Sequence, residues 1–251
     1  MTSDSRKLSI GMLQAEPHGV ILPAEVAAFQ VANIDLLILP EYFWLETEDE
    51  THRDALSHFE SSREKLAELS QTLDCTVVGG TMVEPTAEGG DAAWHNTSFV
   101  FQRGRQLGFY RKQRLMPGEA KGGAVAGDEI LVIEIDEIRV APIICADVFD
   151  PDIFHTLAEA EVDLIAAPVA SPYLPEDTVE SKLQRDREIF VDRSQRAKAP
   201  IVKVCTVGAI LGKRPLQGRS LIVTPEGVQF RTPFEEEQER RSWIHEVELK
   251  L

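Results

Sequence analysis

Apolar and polar residues alternate along the first third of the chain in segments typical of an α/β protein. The segments "KLSIGMLQAE" and "DLLILP" predict strands on either side of a short helix around residues 24–33, and "SSREKLAELSQTLD" has apolar residues at helical spacing. The uninterrupted apolar run of "DLLILP" is typical of a strand buried on both faces. A β-branched run with glycines, "CTVVGGTMVE", then predicts a further strand, so this part indicates βαβαβ.

The middle of the chain predicts two strand pairs. "HNTSFVFQRGRQLGFYRKQRL" indicates a hairpin with its turn at Arg103-Gly104, and "EILVIEIDEIRVAPIICAD" a second pair with its turn near Asp136-Glu137. A helix is expected after Pro151, to about residue 161, and "VDLIAAPVA" predicts another buried strand.

The last third predicts one long amphipathic helix and then strands. "EDTVESKLQRDREIFVDRSQRAKA" is the helix, ended by Pro200, followed by a strand in "PIVKVCTVG", a hairpin in "GRSLIVTPEGVQF" and a last strand in "RSWIHEVEL". This order predicts an α/β fold with a mixed sheet, in a single domain spanning residues 1–251. Segments 84–93 and 117–129, rich in glycine, proline and acidic residues, are predicted to be functional loops.

Composition narrows the class of protein. The chain has 251 residues and a net charge of -16, and nucleic acid is an unexpected partner because phosphate binding needs a basic face. The acidity fits either solubility or adaptation to salt. No apolar stretch is long enough for a membrane span, and the first residues lack the apolar core of a secretory signal, so we expect a cytoplasmic protein.

The cysteines and histidines give no sign of a metal site or a disulfide framework. Cys75, Cys145 and Cys205 are widely spaced, and the six histidines form no ligand motif. We therefore expect no metal and no cofactor.

Three polar residues follow apolar or aromatic runs at predicted strand ends, where open α/β sheets bind ligands. They are Glu41 after "LLILP", Lys112 after "GFYR" and Cys145 after "APII". Each alone has an ordinary structural interpretation: a helix cap, a surface lysine and a core cysteine.

Together the three residues fit one chemistry. A cysteine attacks as a thiolate, a buried carboxylate can remove its proton, and a fixed cation can stabilise the oxyanion that forms. This is acyl transfer from an amide, a nitrile or a related C–N bond.

Several segments also resemble a known family. "LLILPEYF", "FYRKQRLMPGE" and "APIICADVFDP" are similar to the glutamate, lysine and cysteine blocks of the nitrilase superfamily of carbon–nitrogen hydrolases, and further similar segments extend the resemblance over about residues 7–231. It implies a four-layer αββα sandwich with two mixed sheets, and a homodimer or larger homo-oligomer.

The resemblance also implies roles for five residues. Glu41 would be the general base, Cys145 the nucleophile, and Lys112 with the backbone N–H of Ala146 the oxyanion stabilisers. Glu119 would position the lysine or the substrate; its alternative is a solvated loop carboxylate.

The residues after the cysteine depart from the family pattern. True nitrilases usually have Trp-Glu directly after the cysteine, whereas this chain has Ala146-Asp147, so an amide is favoured over a nitrile. Phe149 replaces an arginine found in many amidase members, which weakens assignment to any one branch.

The substrate is expected to be a small-molecule amide. Tyr42, Phe43 and Trp44 follow the predicted base and either line a pocket or pack under a loop, while Ser171 and Pro172 are expected to face the site.

The sequence leaves other functions open: an N-carbamoyl-amino-acid hydrolase, a glutaminase-like activity, a nitrilase, or a non-catalytic interaction module. Labelling would separate the last, since an activated Cys145 should react below the usual thiol pKa and faster than Cys75 or Cys205.

Overall fold

The strands lie close to where the hydrophobic pattern predicts them. The computed structural model describes residues 5–86 and 93–250. In chain order its strands are β1 (Ser5–Gln14), β2 (Leu36–Ile38), β3 (Thr76–Val78), β4 (Met82–Pro85), β5 (Trp94–Gln102), β6 (Arg105–Arg111), β7 (Ile133–Ile135), β8 (Ile138–Pro142), β9 (Leu164–Val169), β10 (Ile201–Cys205), β11 (Ala209–Ile210), β12 (Arg214–Pro215), β13 (Leu221–Thr224), β14 (Gly227–Arg231) and β15 (Arg241–Lys250).

The helices connect these strands. They are α1 (Pro23–Ala32), α2 (Phe59–Leu73), α3 (Pro117–Lys121), α4 (Pro151–Glu159), α5 (Val179–Arg185) and α6 (Asp192–Ala197). Short 3₁₀ helices cover Asp54–His58, Cys145–Phe149 and Phe234–Glu236, and a π-helical segment, Asp186–Val191, joins α5 to α6.

The strands form two large mixed sheets. The first has the order β15-β1-β2-β3-β5-β4, with β6 also paired to β5; β1, β2 and β3 run parallel. The second has the order β14-β13-β10-β9-β8-β7, with β8, β9 and β10 parallel. The short strands β11 and β12, which the hydrophobic pattern does not predict, form a separate two-stranded sheet within the described residues.

Three apolar clusters arrange these elements in four layers. Side chains of both sheets, such as Ile10 and Val140, share one cluster between the sheets. A second cluster packs α4 against the second sheet, and a third packs α2 against the first. The predicted α/β class and the αββα sandwich implied by the family resemblance are confirmed.

Two elements differ from the prediction, each for a local reason. The run "CTVVGGTMVE" forms two strands because the chain turns at Gly80, whose φ of 63° favours glycine. The long helix begins at Val179, changes to π-helical pairing at Asp186, and ends at Ala197 rather than at Pro200, because Lys198 adopts a left-handed conformation.

The two predicted loops have different outcomes. Segment 117–129 is not loop throughout, because α3 occupies its start. Most of segment 84–93 lies outside the described residues, which resume at 93. No helix in the described ranges is long and apolar enough to cross a membrane.

Candidate active site

Three of the residues singled out in the sequence meet in one buried group. Lys112 Nζ lies 2.8 Å from Glu41 Oε1 and 2.8 Å from Glu119 Oε1. The side chains of Lys112 and Glu41 are only 2% and 1% exposed. Glu119 is therefore not a solvated loop carboxylate, because its carboxylate holds the lysine inside the protein.

The backbone around each carboxylate fixes its direction. Glu41 follows Pro40 just beyond β2, its Oε2 accepts a 2.8 Å hydrogen bond from the N–H of Ala170, and its carbonyl accepts one from the Thr206 hydroxyl. Thr206 lies at the carboxyl end of β10 in the second sheet and bridges to Ala15 at the end of β1 in the first. The glutamate is thus held where the two sheets meet.

Glu119 is held by its own helix. As the third residue of α3 it accepts a 2.7 Å hydrogen bond from the N–H of Met116, so the same carboxylate caps the helix and contacts Lys112. The hydroxyl of Tyr42 donates a further hydrogen bond to Glu119 Oε1.

Cys145 lies beside this group, at the point where the chain leaves β8. Its φ is 44°, a left-handed conformation that costs about 1–2 kcal/mol in a residue with a side chain. Ile143 and Ile144, both buried, precede it, and its Sγ lies 3.9 Å from the carbonyl oxygen of Ala170. The 3₁₀ helix that starts at Cys145 puts the N–H of Ala146 in the first turn, where helix N–H groups lack intrahelical partners.

Asp147 joins the cysteine turn to the lysine segment. Its Oδ1 accepts hydrogen bonds from the N–H groups of Gln113 and Arg114, and its Oδ2 from the Tyr110 hydroxyl and the N–H of Ile144. Burial raises the pKa of Asp147 to about 6, and the backbone donors act in the opposite direction. Sequence reasoning noted this aspartate but gave it no role; its position two residues after the cysteine was the available signal.

Asn96 is a site residue that sequence reasoning missed. It is fully buried on β5, and its Nδ2 donates to Glu41 Oε1 at 3.0 Å and to Glu119 Oε1 at 2.9 Å. A single asparagine inside the strand "WHNTSFVFQ" carries no sequence signal that distinguishes it from a satisfied core residue.

The pKa values of Glu41 and Glu119 are shifted in opposite directions. Burial raises the pKa of Glu41, the ammonium of Lys112 lowers it, and the charge of Glu119 raises it again, so it ends above its ordinary value. Burial also disfavours ionised Glu119, but Lys112 and the Tyr42 hydroxyl leave its pKa below the ordinary value. Burial opposes the charge of Lys112, yet Glu41 and Glu119 raise its pKa well above the usual range.

The thiol of Cys145 is not a preformed thiolate. Burial raises its pKa well above the ordinary value, the negative charge of Glu41 raises it further, and Lys112 offsets only part of this. This direction is opposite to the lowered thiol pKa expected of an activated Cys145, and the faster labelling of Cys145 stays a prediction. A carboxylate of raised pKa beside a protonated thiol is the arrangement of a base and its proton donor.

A cavity of about 890 Å³ opens beside these residues. Tyr42, Ser171 and Pro172 line it, where the sequence predicted contacts with substrate. Phe43 and Trp44 do not: both pack in the cluster between α2 and the first sheet, and Trp44 Nε1 donates to the carbonyl of Gly79. The chain turns over residues 41–44, with Tyr42 at a φ of 59°, and this turn leaves Phe43 and Trp44 in the core while Tyr42 lines the cavity.

His52 also lines the cavity and was not predicted. Its ring stacks on Trp94, with centroids 4.7 Å apart, and burial lowers its pKa to about 4. The ring is therefore neutral at physiological pH. In the described ranges, no group of three His, Cys, Asp or Glu side chains is placed to hold a metal ion.

Comparison with protein families gives one match over almost the whole chain. The model described as carbon-nitrogen hydrolase matches residues 12–250. A glutamine-dependent NAD(+) synthetase from Thermotoga maritima is 32% identical over 165 residues, which are 61% of this chain and 27% of that protein. The chain thus spans about a quarter of the length of this relative.

Solved structures share the fold at low sequence identity. A carbon-nitrogen hydrolase from Helicobacter pylori G27 has a TM-score of 0.78 and 20% identity, with 96% of this chain and 89% of that chain covered. A mutant amidase from Nesterenkonia sp. AN1, with the acetamide moiety of fluoroacetamide covalently added at its active-site cysteine, has a TM-score of 0.78 and 18% identity, covering 96% and 90%.

Proposed function

The chain belongs to the carbon–nitrogen hydrolase family and is a hydrolase of C–N bonds, and on this premise we propose that it cleaves small-molecule amides through a thioester on Cys145. The observation that carries the proposal is the ion-paired group of Lys112, Glu41 and Glu119 beside a protonated thiol in one cavity. The covalent adduct on the cysteine of the Nesterenkonia amidase supports the same role for Cys145.

In the proposed reaction Glu41 takes the proton of the Cys145 thiol as sulfur attacks the amide carbon. The ammonium of Lys112 and the N–H of Ala146 stabilise the oxyanion. The C–N bond then breaks, Glu41 gives its proton to the leaving nitrogen, and ammonia or an amine departs. A water molecule, deprotonated by Glu41, hydrolyses the thioester to the acid and restores the thiol.

Glu119 and Asn96 are proposed to act by positioning. Glu119, of lowered pKa, keeps Lys112 charged and positioned to stabilise the oxyanion, while Glu41, of raised pKa, accepts and returns the proton. Asn96 donates to both carboxylates and sets the distance between them.

The test is ammonia release from a panel of amides, carbamoyl amino acids and nitriles. The panel includes glutamine, because the name of the Thermotoga maritima relative includes that amide. Cys145→Ala should lower turnover by at least about 1,000-fold with the fold intact, while Cys75→Ala, a change in the core, should retain it. Full activity of Cys145→Ala would disprove the mechanism. Turnover of nitriles alone, or of carbamoyl compounds alone, would show that the substrate is not a simple amide.

A further inference from the structure

The cavity is lined by more basic than acidic side chains, although the whole chain is strongly acidic. The net charge is -16. Yet within the described residues the only carboxylates lining the cavity are Glu41 and Glu119, and both contact Lys112. Five further cations line it: Arg185, Lys203, Lys213, Arg214 and Arg219.

Two of these cations are buried. Lys203 is 1% exposed and Arg219 3%. Lys203 Nζ lies 4.5 Å from the ring centre of Phe190, and its nearest carboxylate oxygen in the described part of the chain, Asp186 Oδ1, is 3.9 Å away, beyond hydrogen-bond distance. Arg219 Nη2 donates to that same oxygen at 2.8 Å.

The surrounding cluster has more positive than negative groups. Behind Lys203 and Arg219, Lys182 pairs with Glu237, and Arg231 lies between Glu237 and Asp186. Among the described residues, four basic side chains thus share two carboxylates. Nε of Arg219 has no hydrogen-bond partner among the described residues, although buried donors are normally paired. A buried excess of positive charge is costly, and an anion entering the cavity would remove that cost.

We propose that Lys203 and Arg219 form a subsite for a carboxylate, so that the preferred substrate is an amide with a carboxylate at its other end. This rests on the proposed amidase function, because the amide must reach Cys145 in the same cavity. Lys203 on β10 is the strand partner of Ala167 on β9. Ala170 follows Ala167 by three residues, a separation of about 10 Å at strand spacing, and its carbonyl oxygen contacts Cys145 Sγ. Val148, Leu174 and Ile189 line the cavity as well and suit an apolar spacer.

The π-helical segment supplies the residues that contact Lys203 and Arg219. Asp186 and Phe190, which contact Lys203 and Arg219, both belong to Asp186–Val191. A π-helical turn interrupts regular α-helical pairing and is frequent at functional sites. The lone lysine in the apolar strand "PIVKVC" was the sequence signal for this subsite, and nothing else in that strand is charged.

The test compares two amide series on the wild type and on Lys203→Met. One series is succinamate, glutaramate, adipamate, pimelamate and suberamate; the other is the unbranched alkanamides of equal length. The wild type should favour one carboxylate-bearing amide by about 10- to 100-fold in kcat/KM, as expected for a hydrogen-bonded charged group. Lys203→Met should reduce that preference to less than about 3-fold.

Lys182→Met is the matched control, because it removes a buried cation of the same cluster that does not line the cavity. It should keep the wild-type preference. Equal rates for the two series, or an unchanged preference in Lys203→Met, would overturn the proposal. If Lys203→Met fails to fold, Arg219→Gln takes its place with the same expectation.

A titration calorimetry experiment separates this subsite from the amidase activity. Adipate and pimelate, which cannot be hydrolysed, should bind Cys145→Ala protein and lose at least about 10-fold in affinity in Cys145→Ala/Lys203→Met. Binding without turnover of any amide would leave the subsite standing and reject the amidase. Binding of acetate that fails to compete with the carboxylate-bearing amides would assign the subsite to a separate anion and overturn the substrate proposal.

Discussion

The carboxylate of Asp147 accepts a 2.8 Å hydrogen bond from the hydroxyl of Tyr110. This contact joins the turn that carries Cys145 to the strand that leads to Lys112. The same carboxylate accepts three backbone N–H groups, so the cysteine and the lysine are positioned by one side chain.

Asp147→Asn should therefore damage both stability and activity. Asparagine keeps only one acceptor oxygen and turns its NH₂ toward backbone donors, so buried groups lose partners at a cost of about 2 kcal/mol. The unfolding free energy should fall by that amount and kcat should fall with it. Tyr110→Phe removes a single hydrogen bond and should cost about 1 kcal/mol. Wild-type behaviour of Asp147→Asn in urea unfolding and in kinetics would contradict this role.

Loss of the Asn96 side chain should change the pH dependence of kcat/KM. Its amide stabilises ionised Glu41, and removal of a hydrogen bond to the charged form raises the pKa of the carboxyl group. Asn96→Leu should shift the acidic limb of kcat/KM to higher pH. Thr97→Val is the control, since Thr97 is the next buried polar residue on β5 and bonds to Glu84 instead. An unshifted profile would show that Asn96 is only structural.

His52 should make the fold sensitive to acid. Burial lowers its pKa from 6.5 to about 4, so between these pH values the unfolded chain binds a proton that the folded one does not. The contribution of neutral His52 to the free energy of unfolding is fully present above pH 6.5. It is lost as the pH falls toward 4, by up to about 3 kcal/mol. Urea unfolding of the wild type and His52→Phe at several pH values measures this. Parallel curves would disprove it.

A methyl group at Gly80 should displace the base. A Cβ there would lie 2.2 Å from the carbonyl oxygen of Pro40, the residue before Glu41. Gly80→Ala should destabilise the protein by more than about 2 kcal/mol and lower kcat. In Gly104→Ala, also at positive φ, the Cβ would meet its nearest atom at 3.5 Å, so only the cost of the left-handed conformation, about 1 kcal/mol, is expected. Equal effects would exclude the clash with Pro40 as the cause.

Glu41→Gln should have opposite effects on turnover and on alkylation. Loss of the base should lower kcat by about 100- to 10,000-fold. The negative charge of Glu41 raises the thiol pKa, so its removal should lower that pKa and speed labelling of Cys145 by iodoacetamide. Mass spectrometry of the labelled peptide gives the rate, with Cys75 as the internal reference. Slower labelling in the variant would contradict the proposed electrostatics.

Sequence pattern and sequence resemblance gave the framework of the site because its main residues end strands. Glu41 and Cys145 each follow a buried apolar run, and the hairpin turns at Arg103-Gly104 and Asp136-Glu137 are local features, with both residues of each turn at positive φ. The pattern predicts these positions, and the family blocks add the roles.

The remaining residues depend on tertiary contacts that no local pattern encodes. Asn96 is a site residue only because β5 passes Glu41 and Glu119. Phe43 turns into the core although it is as aromatic as Tyr42, which lines the cavity. Burial also reverses the chemistry expected of Cys145, since a high thiol pKa follows from the enclosed site and the neighbouring carboxylate.

The protonated thiol of Cys145 affects how readily peroxides oxidise the protein. Peroxides oxidise thiolates, and a protonated sulfur reacts slowly. The resting protein therefore keeps its sulfur in the form least open to sulfenic acid formation. In the proposed mechanism the thiol loses its proton only as sulfur bonds to the amide carbon, so no free thiolate accumulates during turnover either.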